Sequence, residues 1–126
     1  MSHYPIFADL NRRAVLLAGA GQVAERKAES LLHAGAALRV VAAELNPRFQ
    51  GWLQQGRIEW LGKDFQTAFL NDVFLVVAAT DDEALNRRIF QAAEKQCKLC
   101  NPVDNQALCS FIVPAVIDRS PIQIAV

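Results

Sequence analysis

Three observations predict an α/β fold, a doubly wound parallel sheet followed by a C-terminal β-hairpin. Two short runs, Ala14 to Ala18 and Val73 to Ala79, are apolar throughout, which suits strands buried on both faces better than strands with one wet face. A glycine turn, Gly19-Ala20-Gly21, leads directly from the first run into a helical pattern. The chain ends on two β-type segments separated by the polar Asp118-Arg119-Ser120-Pro121.

The elements follow in order. Pro5 to Leu10 forms a short leading segment expected to pack onto the sheet, and Asn11-Arg12-Arg13 turns into the first strand. After Gly21, Val23, Ala24, Ala28, Leu31 and Leu32 share one helical face and Glu25, Arg26, Glu29 and His33 the other, until Gly35 stops the helix. Ala37 to Val41 is the second strand, and a right-handed crossover makes it parallel to the first. Asn46-Pro47 is a cap followed by a first helical residue, with Leu45, Phe49, Trp52 and Leu53 at helical spacing up to Gly56. Arg57 to Leu61 alternates as a strand, and Gly62 to Asn71 reads as a loop with one helical turn.

Val73 to Ala79 is the fourth strand, placed beside the first, and it runs into the capping cluster Thr80-Asp81-Asp82. Ala84, Leu85, Arg88, Ile89, Ala92 and Ala93 continue as a helix whose aliphatic positions share a face, and Lys98 to Asn101 is the fifth strand. Phe111 to Ile117 and Ile122 to Val126 form the closing pair. The division expected is a Rossmann-like domain over 1–113 and, over 114–126, the start of a truncated dimerisation or substrate region.

A chain of 126 residues has room for one core. Thirteen basic and thirteen acidic residues leave no net charge, so no nucleic-acid partner is indicated. No apolar run approaches the ~20 residues of a membrane helix and the N-terminus lacks a leader pattern, so no membrane association and a cytoplasmic location are expected. Cys97, Cys100 and Cys109 are an odd number of thiols. Cys97 and Cys100 have C-x-x-C spacing without a second such pair, so they read as reduced, buried or helix-ending residues, and no metal ligands are assigned.

The chemistry sits beyond the carboxyl ends of the strands, where doubly wound sheets bind ligands. Gly19 lets the chain leave the strand tightly, Gly21 lets a pyrophosphate approach the backbone, and the helix N-terminus behind them suits a phosphate, so NAD is the expected cofactor. The residues facing that crevice are Gly19 to Val23, which include Gln22, then Ala42 to Glu44, which include Ala43, then Ala79 to Asp81, which include Thr80, and Pro102 to Asn105. Glu44 is the acid within reach of the ribose, yet it equally suits a solvated place before the Asn46 cap. No arginine stands there as an evident receiver for a 2′-phosphate, which favours NAD over NADP. Asp104 is the best-placed general base, although Asp-Asn after Pro102 also reads as a plain turn.

Pro5-Ile6-Phe7, GAGQVAERKA from Gly19 to Ala28, AATDD from Ala78 to Asp82, Asn101 to Asp104, and SFIVPAVIDRSPIQIAV from Ser110 to Val126 together resemble the N-terminal domain family of siroheme synthases. The resemblance runs the length of the chain. It implies a dehydrogenase that passes hydride from the tetrapyrrole precorrin-2 to NAD, yielding sirohydrochlorin, and a ferrochelatase that inserts Fe²⁺ to give siroheme. It matches Asp104 to the family's essential aspartate and Gln22, Val23, Ala43 and Glu44 to its cofactor contacts. The family continues past the position of Val126 into a region that forms a homodimer and helps build the tetrapyrrole site. The alternative is a non-catalytic NAD(H)-sensing module. Such modules usually carry a clear acid at the end of the second strand, where this chain has Val41-Ala42-Ala43.

Overall fold

The computed structural model describes residues 4–103, Phe111, and the backbone of 116–119 and 122–125. Strands β1 (Ala14–Ala18), β2 (Ala37–Val41), β3 (Ile58–Gly62), β4 (Leu75–Ala78) and β5 (Leu99–Pro102) form one sheet in the order β3-β2-β1-β4-β5. Every neighbouring pair in it is parallel. Helices α1 (Gln22–His33), α2 (Pro47–Gln54) and α3 (Glu83–Lys95) alternate with the strands, and a 3-10 turn, Thr67–Leu70, precedes β4. Strands β6 (Val116–Arg119) and β7 (Ile122–Ala125) pair antiparallel as a separate hairpin.

The unbroken apolar runs have a plain physical cause: alternate residues of one strand pack into the apolar layers on the two faces of the same sheet. Val15 and Leu17 of β1 pack with Val40 of β2, Ala24 and Ala28 of α1, and Phe49 and Trp52 of α2. Leu16 and Ala18 pack on the opposite face with Val76, Leu70, Ile89 and Ala93. Val15, Leu16 and Leu17 have no exposed surface, and burying each leucine contributes about 1.5–3 kcal/mol. The rings of Phe49 and Trp52 meet edge-on at 5.1 Å, which fixes α2 on its layer. Asn46 caps α2 as expected, its Oδ1 accepting the Phe49 N–H at 3.0 Å.

Four expectations need correction. The leading segment does not lie on the sheet: Ile6 and Phe7 are exposed, because the segment forms no strand and only Leu10 reaches the core. Val23 is exposed, since the first turn of α1 overhangs the carboxyl end of β1, and the buried face begins at Ala24. On α3, Ala84 is exposed and Asn86 is buried beside Ile89 and Ala93. Strand β4 starts at Leu75; Val73 is buried just before it, and Phe74 lies half-exposed under the Arg13 guanidinium, 4.7 Å from the ring centroid. Among the described residues no helix is long and apolar enough to cross a membrane.

Candidate functional site

The sheet order makes β1 and β4 neighbours whose connections leave in opposite directions, which is the switch point where such sheets bind ligands. Backbone bonds stitch the strand exits together. Gly19 N–H donates to the Val41 carbonyl (2.8 Å), Ala79 N–H to Ala18 (2.8 Å), and Val103 N–H to Ala78 (3.0 Å). The turns after β1, β2, β4 and β5 therefore share one rim.

The two glycines of the β1 turn do different work. Gly19 has φ +109°, and a Cβ on it would stand 2.4 Å from the Ala79 carbonyl oxygen, so it is there for the close approach of the β1 and β4 exits. Gly21 precedes α1 as its N-cap, and a Cβ on it would meet nothing within 4 Å. Having no side chain, it caps none of the helix N–H groups. The first intrahelical bond runs from Glu25 N–H to the Gly21 carbonyl (2.9 Å), so the N–H groups of Gln22, Val23 and Ala24 point outward from the helix end. Open space at Gly21 before these donors fits a pyrophosphate, with Gln22 and Val23 exposed at its side.

Beyond β2, Ala43 and Glu44 are exposed on a bend. Trp60 of β3 closes in beside them, its indole Nε1–H donating to the Ala42 carbonyl at 3.1 Å. Beyond β4, Asp81 is exposed, whereas the Thr80 side chain is engaged within the protein. Thr80 Oγ1 lies 2.6 Å from Asn86 Oδ1 and 3.1 Å from the Asp82 carbonyl oxygen. Asn86 Oδ1 also accepts the Thr80 N–H (3.2 Å), and its Nδ2 donates to the Thr80 carbonyl (3.0 Å). One buried amide thus binds all three polar groups of Thr80 and holds the turn that presses on Gly19.

At the end of β5 the buried Asn101 donates from Nδ2 to the Phe111 carbonyl at 2.8 Å. Asp104, together with Cys109, lies outside the described residues. Cys97 is exposed past α3 and Cys100 is fully buried in β5. Among the described residues no group of three or more potential metal ligands comes together. Asn86 and Asn101 were not singled out as clamps in the sequence. The available signal was an asparagine four residues after the Asp82 cap, on the face that otherwise carries Leu85, Ile89 and Ala93.

Sheet order, glycine turn and open helix end define the class, a dinucleotide-binding α/β domain. A family model described as "Putative NAD(P)-binding" matches residues 6–115. The chain belongs to this NAD(P)-binding family. It is 53% identical over its whole length to the siroheme synthase of Mannheimia succiniciproducens and 53% identical to siroheme synthase 1 of Serratia proteamaculans. It spans 26% of the length of each, about a quarter. The solved structure of SirC, precorrin-2 dehydrogenase, matches with a TM-score of 0.84 at 29% identity, covering 98% of this chain and 61% of that one. The NAD expected from the glycine turn agrees with the family.

Proposed function

We propose that this chain is the NAD-binding dehydrogenase unit that oxidises precorrin-2 to sirohydrochlorin. The observation that carries the proposal is the uncapped first turn of α1, facing open space at Gly21 on the rim where β1 and β4 meet. The names of the relatives supply the substrate. When bound, NAD supplies a hydride acceptor.

The residues divide the remaining work. The N–H groups of Gln22, Val23 and Ala24 hold the pyrophosphate, and Ala43 and Glu44 flank the adenosine ribose. The Thr80–Asn86 clamp fixes the turn carrying Asp81 on the same rim. At the substrate a C–H bond breaks with its electron pair leaving as hydride, and the accompanying proton passes to the Asp104 carboxylate. In this reading the whole protein is a cytoplasmic homodimer that also inserts Fe²⁺ into sirohydrochlorin, with Asp104 accepting pyrrole protons. The segment after 113 belongs to the tetrapyrrole side.

The test mixes the chain with NAD⁺ and freshly generated precorrin-2 and follows NADH absorbance, with Asp104→Ala alongside. Turnover that Asp104→Ala abolishes while NAD⁺ still binds is the expected result. NAD⁺ binding with turnover that ignores Asp104→Ala removes the base assignment. A chain that binds NAD⁺ but never turns over is a cofactor domain whose tetrapyrrole site needs residues from outside this stretch.

A further inference from the structure

We infer that Glu25 and Glu29 hold Arg48 away from the 2′ position of the adenosine ribose, and that this capture makes the site select NAD over NADP. The inference rests on the cofactor site proposed above and adds the residues that set its specificity.

Arg48 stands where a 2′-phosphate reader belongs. In dinucleotide folds the ribose 2′ position lies beside the end of the second strand, and a nearby arginine is what accommodates a phosphate there. Here β2 ends at Val41, Ala43 and Glu44 form the exposed bend, Asn46 caps α2, and Arg48 is the second residue of that helix. The positive end of α2 would add to its attraction for an anion.

The side chain is turned elsewhere. Its Nη2 lies 2.5 Å from Glu29 Oε1 and its Nη1 3.9 Å from Glu25 Oε1, both on α1. The guanidinium also stacks over the Trp52 ring, 5.0 Å from the centroid. Of two carboxylates one helical turn apart, Glu29 binds one end of the arginine fork and Glu25 stands at ion-pair distance from the other, while the tryptophan ring lies beneath its plane. The same carboxylates set negative charge beside the helix end that receives the pyrophosphate, which disfavours a further dianionic group. Because the Arg48 side chain is 49% exposed, contact geometry rather than burial holds the pair, so neutralising the carboxylates releases it. Lys63, exposed just past β3, is another cation at this end of the sheet and stays constant in the comparison below.

The experiment is calorimetric titration of the chain with NAD⁺ and with NADP⁺, for the parent, for Glu25→Gln with Glu29→Gln, and for that pair combined with Arg48→Gln. The expected result is a fall in the ratio Kd(NADP⁺)/Kd(NAD⁺) on the order of tenfold in the double variant, the worth of one charge-assisted hydrogen bond, with NAD⁺ affinity kept. The ratio then returns to the parent's in the triple variant. An unchanged ratio in the double variant overturns the inference. So does a gain that survives Arg48→Gln, which would mean relief of carboxylate repulsion alone, and so does loss of affinity for both cofactors, which would make the carboxylates supports of α1. A parent that binds neither cofactor overturns the site itself; a parent that binds NAD⁺ while the ratio never moves overturns only the role of Arg48.

Discussion

The amide of Asn101 donates to the Phe111 carbonyl at 2.8 Å, so Phe111 is tied to β5, ten residues before it in sequence. Asp104 lies within that stretch of sequence.

This tie predicts the behaviour of Asn101→Leu, which keeps the volume but leaves the Phe111 carbonyl without its donor, at a cost of about 1–3 kcal/mol. The expected outcome is a lowered melting temperature and a large fall in precorrin-2 oxidation, with NAD⁺ affinity nearly unchanged because the glycine turn is remote from the tie. Steady-state kinetics beside calorimetric titration checks it. Equal losses of turnover and NAD⁺ affinity would show that the tie supports the whole rim.

The two glycines of the β1 turn should separate folding from binding. Gly19→Ala places a methyl 2.4 Å from the Ala79 carbonyl oxygen at φ +109°, so it should lose several kcal/mol of stability and yield little folded protein. Gly21→Ala meets nothing within 4 Å at an extended backbone conformation, so its melting temperature should stay near the parent's. Its NAD⁺ affinity should fall by about tenfold or more, because the methyl occupies the space in front of the helix donors. Thermal melts and NAD⁺ titration of the two variants decide the matter.

For the turn after β4, Thr80→Ser keeps the hydroxyl and should behave as the parent. Asn86→Leu strips the Asn86 partner from the Thr80 backbone N–H and carbonyl and leaves its hydroxyl only Asp82, so it should destabilise by about 2–4 kcal/mol, as loss of a buried hydrogen-bond network does. Denaturant unfolding of both variants measures the difference.

How much of this was legible in the sequence depends on how far each contact reaches along the chain. The strand, turn and helix from Ala14 to Gly35 were readable because each signal is local: an apolar run, two glycines and a helical period. The Asn46 cap was readable for the same reason. Val23 misled because helical periodicity assigns a face without knowing that the first turn overhangs the sheet. Ile6 and Phe7 misled because their hydrophobicity implies a surface to pack on, and the described residues supply none. The clamps of Asn101 on Phe111 and the capture of Arg48 by α1 were not readable, since an asparagine or an arginine looks the same in sequence whatever it holds. Arg48, which lies four residues past Glu44 in sequence, is paired to Glu29 on α1, a contact that no local pattern announces.

The hydrogen bond from Trp60 to the Ala42 carbonyl has a practical consequence. It anchors a fluorophore one residue from the bend at Ala43, and indole emission overlaps the absorption of reduced nicotinamide. Light absorbed by that ring should pass to bound NADH, so the protein carries its own optical gauge of cofactor occupancy, readable without a label.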